Sequence, residues 1–169
     1  DAASGGFVMP FVNPDFLWDF RLEQVRSINV SNHKFGLVYA GLGSLVFKDT
    51  KYLPAELPFE INYLGGVMNN YSLNFSKSSS GLLAQYYNFL RFGKIGYKKI
   101  MDAVMNNAAI LEKYLLNSGY FELLTATKYL PVVVVRLNAD YGFSVFDLSH
   151  ELKKCGWIIP AYTLPPNAE

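Results

Sequence analysis

Apolar and polar residues alternate along Val25-Arg26-Ser27-Ile28-Asn29-Val30, the two-residue period of a half-buried strand. A polar turn separates it from Asp15 to Phe20, and Ser31-Asn32-His33-Lys34 follows as a loop at its carboxyl end. Beyond a glycine-rich stretch from Gly36 to Gly43, Ser44-Leu45-Val46-Phe47 reads as a second strand. Pro54 and Pro58 punctuate a loop leading to Ile61-Asn62-Tyr63-Leu64, and Gly65-Gly66 breaks the chain there. The period then becomes helical. Leu82, Leu83, Tyr86, Phe89 and Leu90 mark one helix from Ser79 to Phe92. Tyr97, Ile100, Met101, Val104, Ala108, Leu111 and Leu115 mark a second from about Gly96 to Asn117, with Gly119 as its stop. Pro131-Val132-Val133-Val134-Val135 predicts a buried strand. Ser144 predicts an N-cap for a helix carrying Val145, Phe146, Leu148 and Leu152 to near Gly156, and Trp157-Ile158-Ile159 a last strand. Strands and loops, two helices, then strand–helix–strand make a mixed α/β fold with a boundary inside the second helix.

Composition narrows the function classes. The 169 residues are 51% hydrophobic and 17% charged, so a sizeable core is within reach and no segment has a disordered character. A formal net charge of +1, without basic runs, gives no footprint for nucleic acid or an anionic membrane surface. No apolar run approaches the ~20 residues that span a bilayer. The single cysteine, Cys155, excludes an internal disulfide, fits a reducing compartment, and is expected to be a buried, inert helical thiol. The opening Asp1-Ala2-Ala3-Ser4-Gly5-Gly6 lacks an initiator methionine, and Leu164-Pro165-Pro166-Asn167-Ala168-Glu169 stops just after an apolar run. Both edges read as cuts within a longer chain.

The residues with chemistry to offer are Asp1, Ser31, His33, Lys34 and Ser76; no metal ligands are assigned. On residue type alone, each has a plainer reading. A lysine after a strand is usually solvated, and an aspartate in this setting caps a turn or a helix. A loop histidine packs and hydrogen-bonds, and serines cap turns. Tyr86, Tyr87 and Phe89 read as helix packing, not as a cofactor box.

Whole segments change this picture. Asp1-Ala2-Ala3-Ser4-Gly5-Gly6-Phe7 resembles the stretch of glutamate decarboxylases that carries their cofactor-facing aspartate. Ser27 to Leu37, with Ser31-Asn32-His33-Lys34-Phe35-Gly36 at its centre, resembles their Schiff-base lysine segment. Asn62-Tyr63-Leu64-Gly65-Gly66, Leu73-Asn74-Phe75-Ser76-Lys77, Ala84-Gln85-Tyr86-Tyr87 and Gly156-Trp157-Ile158-Ile159-Pro160-Ala161-Tyr162-Thr163 follow in the family's order. The chain is similar throughout to the group II decarboxylases dependent on pyridoxal 5'-phosphate (PLP), in their plant and bacterial branch.

The resemblance implies an α/β chain holding part of the large domain of a PLP-dependent transferase (aspartate aminotransferase-like, fold type I). Residues 1–103 would end the PLP-binding large domain, and residues 104–169 would form part of the small C-terminal α/β domain. It implies Lys34 as the lysine joined to the cofactor and Asp1 as the partner of the pyridinium nitrogen. Ala3 would pack on one ring face, His33 and Ser31 would lie near the phosphate, and Ser76 would reach a phosphate bound mainly by a neighbouring subunit. The implied reaction is decarboxylation of L-glutamate to 4-aminobutyrate in a cytoplasmic homo-oligomer with shared sites, this chain being inactive alone. Plant members carry a calmodulin-binding tail, for which this chain ends too early. The alternatives are a decarboxylase for another amino acid and a diverged, non-catalytic paralogue. This chain departs from the family pattern at Asn32, where a glycine is usual, at Ser44, where a tryptophan is usual, and at Val67-Met68-Asn69-Asn70, where the family loop is more polar.

Overall fold

A computed structural model describes residues 1–62, 65–71, 76–125 and 129–164. The chain divides into two compact units, Asp1–Val104 and Met105–Glu169.

The first unit begins with a 3-10 turn, Gly5–Phe7, running into a short helix α1, Met9–Val12. The alternating segment forms β1, Ser27–Val30, which pairs antiparallel with β2, Ser44–Phe47, Val30 lying opposite Ser44. Two further strands, β3 (Phe59–Ile61) and β4 (Met68–Asn70), form a separate antiparallel pair. The sequence predicts a loop and a break here, and the break at Gly65-Gly66 falls in the connection between the two strands. Tyr63 and Leu64 lie outside the described residues, as do Leu73, Asn74 and Phe75 of the segment around Ser76 and the closing residues Pro165 to Glu169.

The long helix α2 covers Ser80–Asn117 and is broken at Gly93, whose φ of 55° and ψ of −168° lie outside helical space. The break replaces the gap expected between two helices. It also has a geometric effect. Residues 85 and 97 of a straight helix would stand about 18 Å apart along the axis, yet Gln85 Nε2 donates to Tyr97 Oη at 2.9 Å. Both halves of α2 therefore close on the same place. Tyr97 is 2% exposed there, ringed by Phe11 (centroids 5.6 Å), Phe7 (5.7 Å), Phe92 (5.8 Å) and Phe89 (6.0 Å). Such ring pairs each add roughly 0.5–1.5 kcal/mol beyond the area they bury. Val8, Met9 and Met101 complete the core.

The apolar face expected of the first half of α2 is not the buried one. Leu82, Leu83, Tyr86, Phe89 and Leu90 are all exposed, whereas Gln85 is buried and Gly81, Ala84 and Asn88 are half-buried. Positions 81, 84, 85 and 88 also follow helical spacing, so a second stripe, of small and polar residues, faces the protein.

In the second unit, β5 (Phe121–Leu123) pairs antiparallel with β6 (Val135–Leu137), and Arg136 makes an ion pair with Glu122 directly opposite. The sequence predicts this strand earlier, over residues 131–135, and buried. In the structure Pro131 to Val134 lead into it, and Val132 is exposed. A proline cannot donate to a ladder, and Val132 N–H turns back to Leu130 O at 2.8 Å. Helix α3, Val145–Lys154, has the predicted Ser144 cap: Ser144 Oγ accepts from Asp147 N at 3.2 Å, and Asp147 Oδ2 accepts from Ser144 N at 2.8 Å. The bond from Ser144 N, and after it one from the Ser144 hydroxyl to Oδ2 at 2.7 Å, hold the Asp147 carboxyl below its ordinary range.

Trp157-Ile158-Ile159 is not a strand. Its polar groups turn back to α3 instead: Trp157 N donates to Leu152 O at 3.0 Å, and Ile159 O accepts from Ser149 Oγ at 2.5 Å. Cys155 ends the helix and is exposed, against the expected burial. Among the described residues no helix is long and apolar enough to cross a membrane, and no group of three or more His, Cys, Asp or Glu could hold a metal ion.

Candidate active site

Five of the six expected site residues lie on two adjacent stretches of the first unit. The segment Asp1 to Ser4 runs beside β1 in the same direction, with Ala2 N donating to Asn29 O at 3.0 Å and Ser31 N to Ala3 O at 3.1 Å. This places Asp1 and Ala3 alongside the strand that ends in the lysine loop. Asp1 Oδ1 accepts from Ala3 N at 2.8 Å and from Asn29 Nδ2 at 2.9 Å. These two donors orient the carboxylate, and no donor among the described residues is recorded at its other oxygen.

The lysine loop consists of two tight turns. Lys34 N donates to Ser31 O at 3.1 Å, and Leu37 N donates to Lys34 O at 3.2 Å. Lys34 is exposed, and its Nζ donates to Ser4 Oγ at 3.2 Å. The amine thus lies against the segment that carries Asp1. His33 is exposed as well, its Nδ1 at 3.2 Å from Leu42 O. A carbonyl only accepts, so this contact makes Nδ1 the protonated nitrogen. Ser31 is half-buried. Ser76 stands apart: it is exposed, and no hydrogen bond joins it to the other five among the described residues.

A polar layer lies under the loop. Gln85 Nε2 donates to Gly36 O at 3.2 Å, Tyr97 Oη donates to the same carbonyl at 3.0 Å, and Asn88 Nδ2 donates to Leu37 O at 2.8 Å. Leu37 has φ +64°, a left-handed conformation that costs a leucine about 1 kcal/mol. The Asn88 bond helps to hold it there. Burial pushes the Tyr97 hydroxyl above its ordinary range, partly offset by the bond from Gln85.

Residue-type reasoning missed Ser4, Asn29, Gln85 and Asn88. Gln85 and Asn88 had a readable signal in the 81, 84, 85, 88 stripe. Ser4 and Asn29 had none, because each is defined by a partner from another part of the chain. Asn32, where left-handed backbone would have been a concern, is not at positive φ.

Comparison with known proteins identifies relatives along the whole chain. The pyridoxal-dependent decarboxylase conserved domain matches residues 1–138. Glutamate decarboxylase of Solanum lycopersicum is 48% identical over 169 residues, all of this chain and 34% of its own length. Glutamate decarboxylase beta of Listeria innocua is 47% identical, again over all of this chain and 37% of its own length. The chain therefore spans about a third of the length of the curated relatives it matches. The solved glutamate decarboxylase of Lactobacillus brevis superposes with a TM-score of 0.91 at 47% identity, covering 99% of this chain and 38% of that one. A sphingosine-1-phosphate lyase of Burkholderia pseudomallei, 22% identical with a TM-score of 0.81 over 98% of this chain and 38% of its own, shares the fold. With mixed α/β architecture, part of a fold-type-I PLP-dependent large domain and a domain match over most of its length, the chain belongs to the pyridoxal-dependent decarboxylase family.

Proposed function

We propose that this chain is part of a PLP-dependent enzyme that decarboxylates L-glutamate to 4-aminobutyrate and carbon dioxide. The observation that carries the reading is the likeness to glutamate decarboxylases over the whole chain, joined to an exposed lysine held against the segment that bears Asp1. The groups present fit the cofactor. Lys34 offers an accessible amine for its aldehyde, and Asp1 offers a carboxylate already oriented by two donors, suited to keeping a pyridine nitrogen protonated.

When bound, the cofactor supplies an electron sink for the pair released as the α-carboxylate leaves as carbon dioxide. Lys34 would hold it through its accessible amine. Asp1 would keep the ring cationic, Ala3 would offer a small surface to the ring, and Ser31 and His33 would help to hold the phosphate. One proton replaces the lost carboxylate on the α-carbon.

Ser76 serves a second copy's phosphate in this reading, in a homo-oligomer with shared sites; its exposure and its separation from the other five support that role. The reading takes a small amino-acid substrate and a cytoplasmic location, the latter in keeping with the single cysteine.

The test is made on the full-length protein supplied with PLP. A visible absorbance band is expected, lost in Lys34→Ala, with carbon dioxide released from L-glutamate in preference to other amino acids. A colourless wild type would sink the catalytic reading. Release from another amino acid but not from glutamate would move the substrate.

A further inference from the structure

Asn32 stands two residues before Lys34 and is 4% exposed. An amide has a donor end and an acceptor end, and both are occupied. Its Nδ2 donates to Gln85 Oε1 at 3.0 Å, and its Oδ1 accepts from Ser44 Oγ at 2.8 Å. Gln85, 3% exposed, passes the network on to Gly36 O and Tyr97 Oη. No buried side-chain nitrogen or oxygen among the described residues lacks a partner, so the network is fully satisfied. Such networks are rigid when complete and costly when one member is lost.

The arrangement brackets the lysine. Gln85 binds the side chain of residue 32 and the carbonyl of residue 36, which flank Lys34 on either side. Ser44, the first residue of β2, ties residue 32 to the strand pair as well. Asn32 and Ser44 are also two of the positions where this chain departs from the family pattern, and they are bonded to each other. A glycine at 32 would have no side chain to accept the Ser44 bond.

We infer that Asn32 is a positioning residue for Lys34 and that it works as one unit with Ser44. Asn32 fixes where the lysine turn sits, and Ser44 fixes Asn32. The inference rests on the proposed role of Lys34, but its first test does not need the cofactor.

Hydrogen–deuterium exchange over residues 33–37 is compared in the full-length protein without PLP, for wild type, Asn32→Ala, Ser44→Ala, the double variant and Ser44→Thr. Asn32→Ala, which loses both of its bonds, is expected to exchange about tenfold faster in that peptide and Ser44→Ala by a smaller factor, with the double no faster than Asn32→Ala, because a shared bond can be lost only once. Ser44→Thr keeps the hydroxyl and restores the wild-type rate. With PLP added, the pH midpoint of the visible band moves in both alanine variants and returns in Ser44→Thr. The inference is overturned if Asn32→Ala leaves exchange unchanged, if the single effects add, or if the pH midpoint does not move. Should Asn32→Ala fail to fold, Ser44→Ala against Ser44→Thr makes the same comparison. A wild type that takes no colour sinks the functional reading alone, while the exchange rates still decide whether the pair holds the turn.

Discussion

Gly36 fits against Gln85 with no room to spare: a Cβ built on the glycine would stand 2.8 Å from Gln85 Oε1 and 2.4 Å from the Asn32 carbonyl oxygen. The second of these is backbone and cannot swing away. Gly36→Ala is therefore expected to push residues 32 and 36 apart, costing about 1–3 kcal/mol as overpacking does. Lower urea resistance of the full-length variant, with a weaker visible band when PLP is added, would register it. An alanine tolerated without change would contradict the closeness of this contact.

Gln85 and Tyr97 share the Gly36 carbonyl, but they do not contribute equally. Gln85→Ala strands the Asn32 donor and leaves a cavity, so a loss of about 3 kcal/mol is expected. Tyr97→Phe removes one hydroxyl and leaves Gln85 its bond to Gly36, so a loss nearer 1 kcal/mol is expected. Urea midpoints of the two variants should fall in that order.

The Tyr97 hydroxyl also sets an alkaline limit. Its ionisation is raised by burial from an ordinary value of 10.0. Stability from the neutral phenol is full below pH 10 and is lost as pH rises through the raised folded value. Tyr97→Phe should flatten that alkaline decline in thermal unfolding, even though it starts from a lower Tm.

The capping box of α3 gives the opposite sign. The Asp147 carboxyl titrates below 3.8 in the folded chain, so its contribution is full above 3.8 and is lost as pH falls through the lower folded value. Ser144→Ala removes the cap and should cost about 1 kcal/mol near neutral pH. Far-UV circular dichroism of the variant should show a smaller further loss of helix as pH is lowered below 3.8.

Much of the local structure could be read from residue pattern. The β1 alternation, the β2 strand and the Ser144 cap all depend on neighbours within a few positions, and they form where expected. The failures share a cause. Trp157-Ile158-Ile159 and Pro131 to Val134 have strand composition, but a strand needs a partner at the right register, and composition does not supply one. The exposed Leu82, Leu83, Tyr86, Phe89 and Leu90 have the spacing of a core face, yet the chain packs the stripe through Gln85 inward, because Asn32 and Gly36 offer it polar groups. Lys34 and Asp1 were legible as a pair only through resemblance. Their two segments are brought side by side by the Ala2–Asn29 and Ala3–Ser31 backbone bonds, which no side-chain pattern announces.

Gly93 occupies a conformation with φ 55° and ψ −168°, one that side chains rarely adopt, and nothing crowds the place where a Cβ would stand. Gly93→Ala should cost about 1–3 kcal/mol through the backbone alone. Its effect should not stop at the helix, since Tyr97 reaches Gln85 only because α2 breaks there. Hydrogen exchange of residues 33–37 in the full-length variant should quicken with the helix, and an unchanged loop would refute the link.

For genetics, that makes Gly93 a deceptive position. A missense allele there touches no chemical group of the site and lies far from Lys34 in the chain. It would nevertheless resemble a lesion at the lysine itself, and a screen that judges severity by distance from the reactive amine would misfile it.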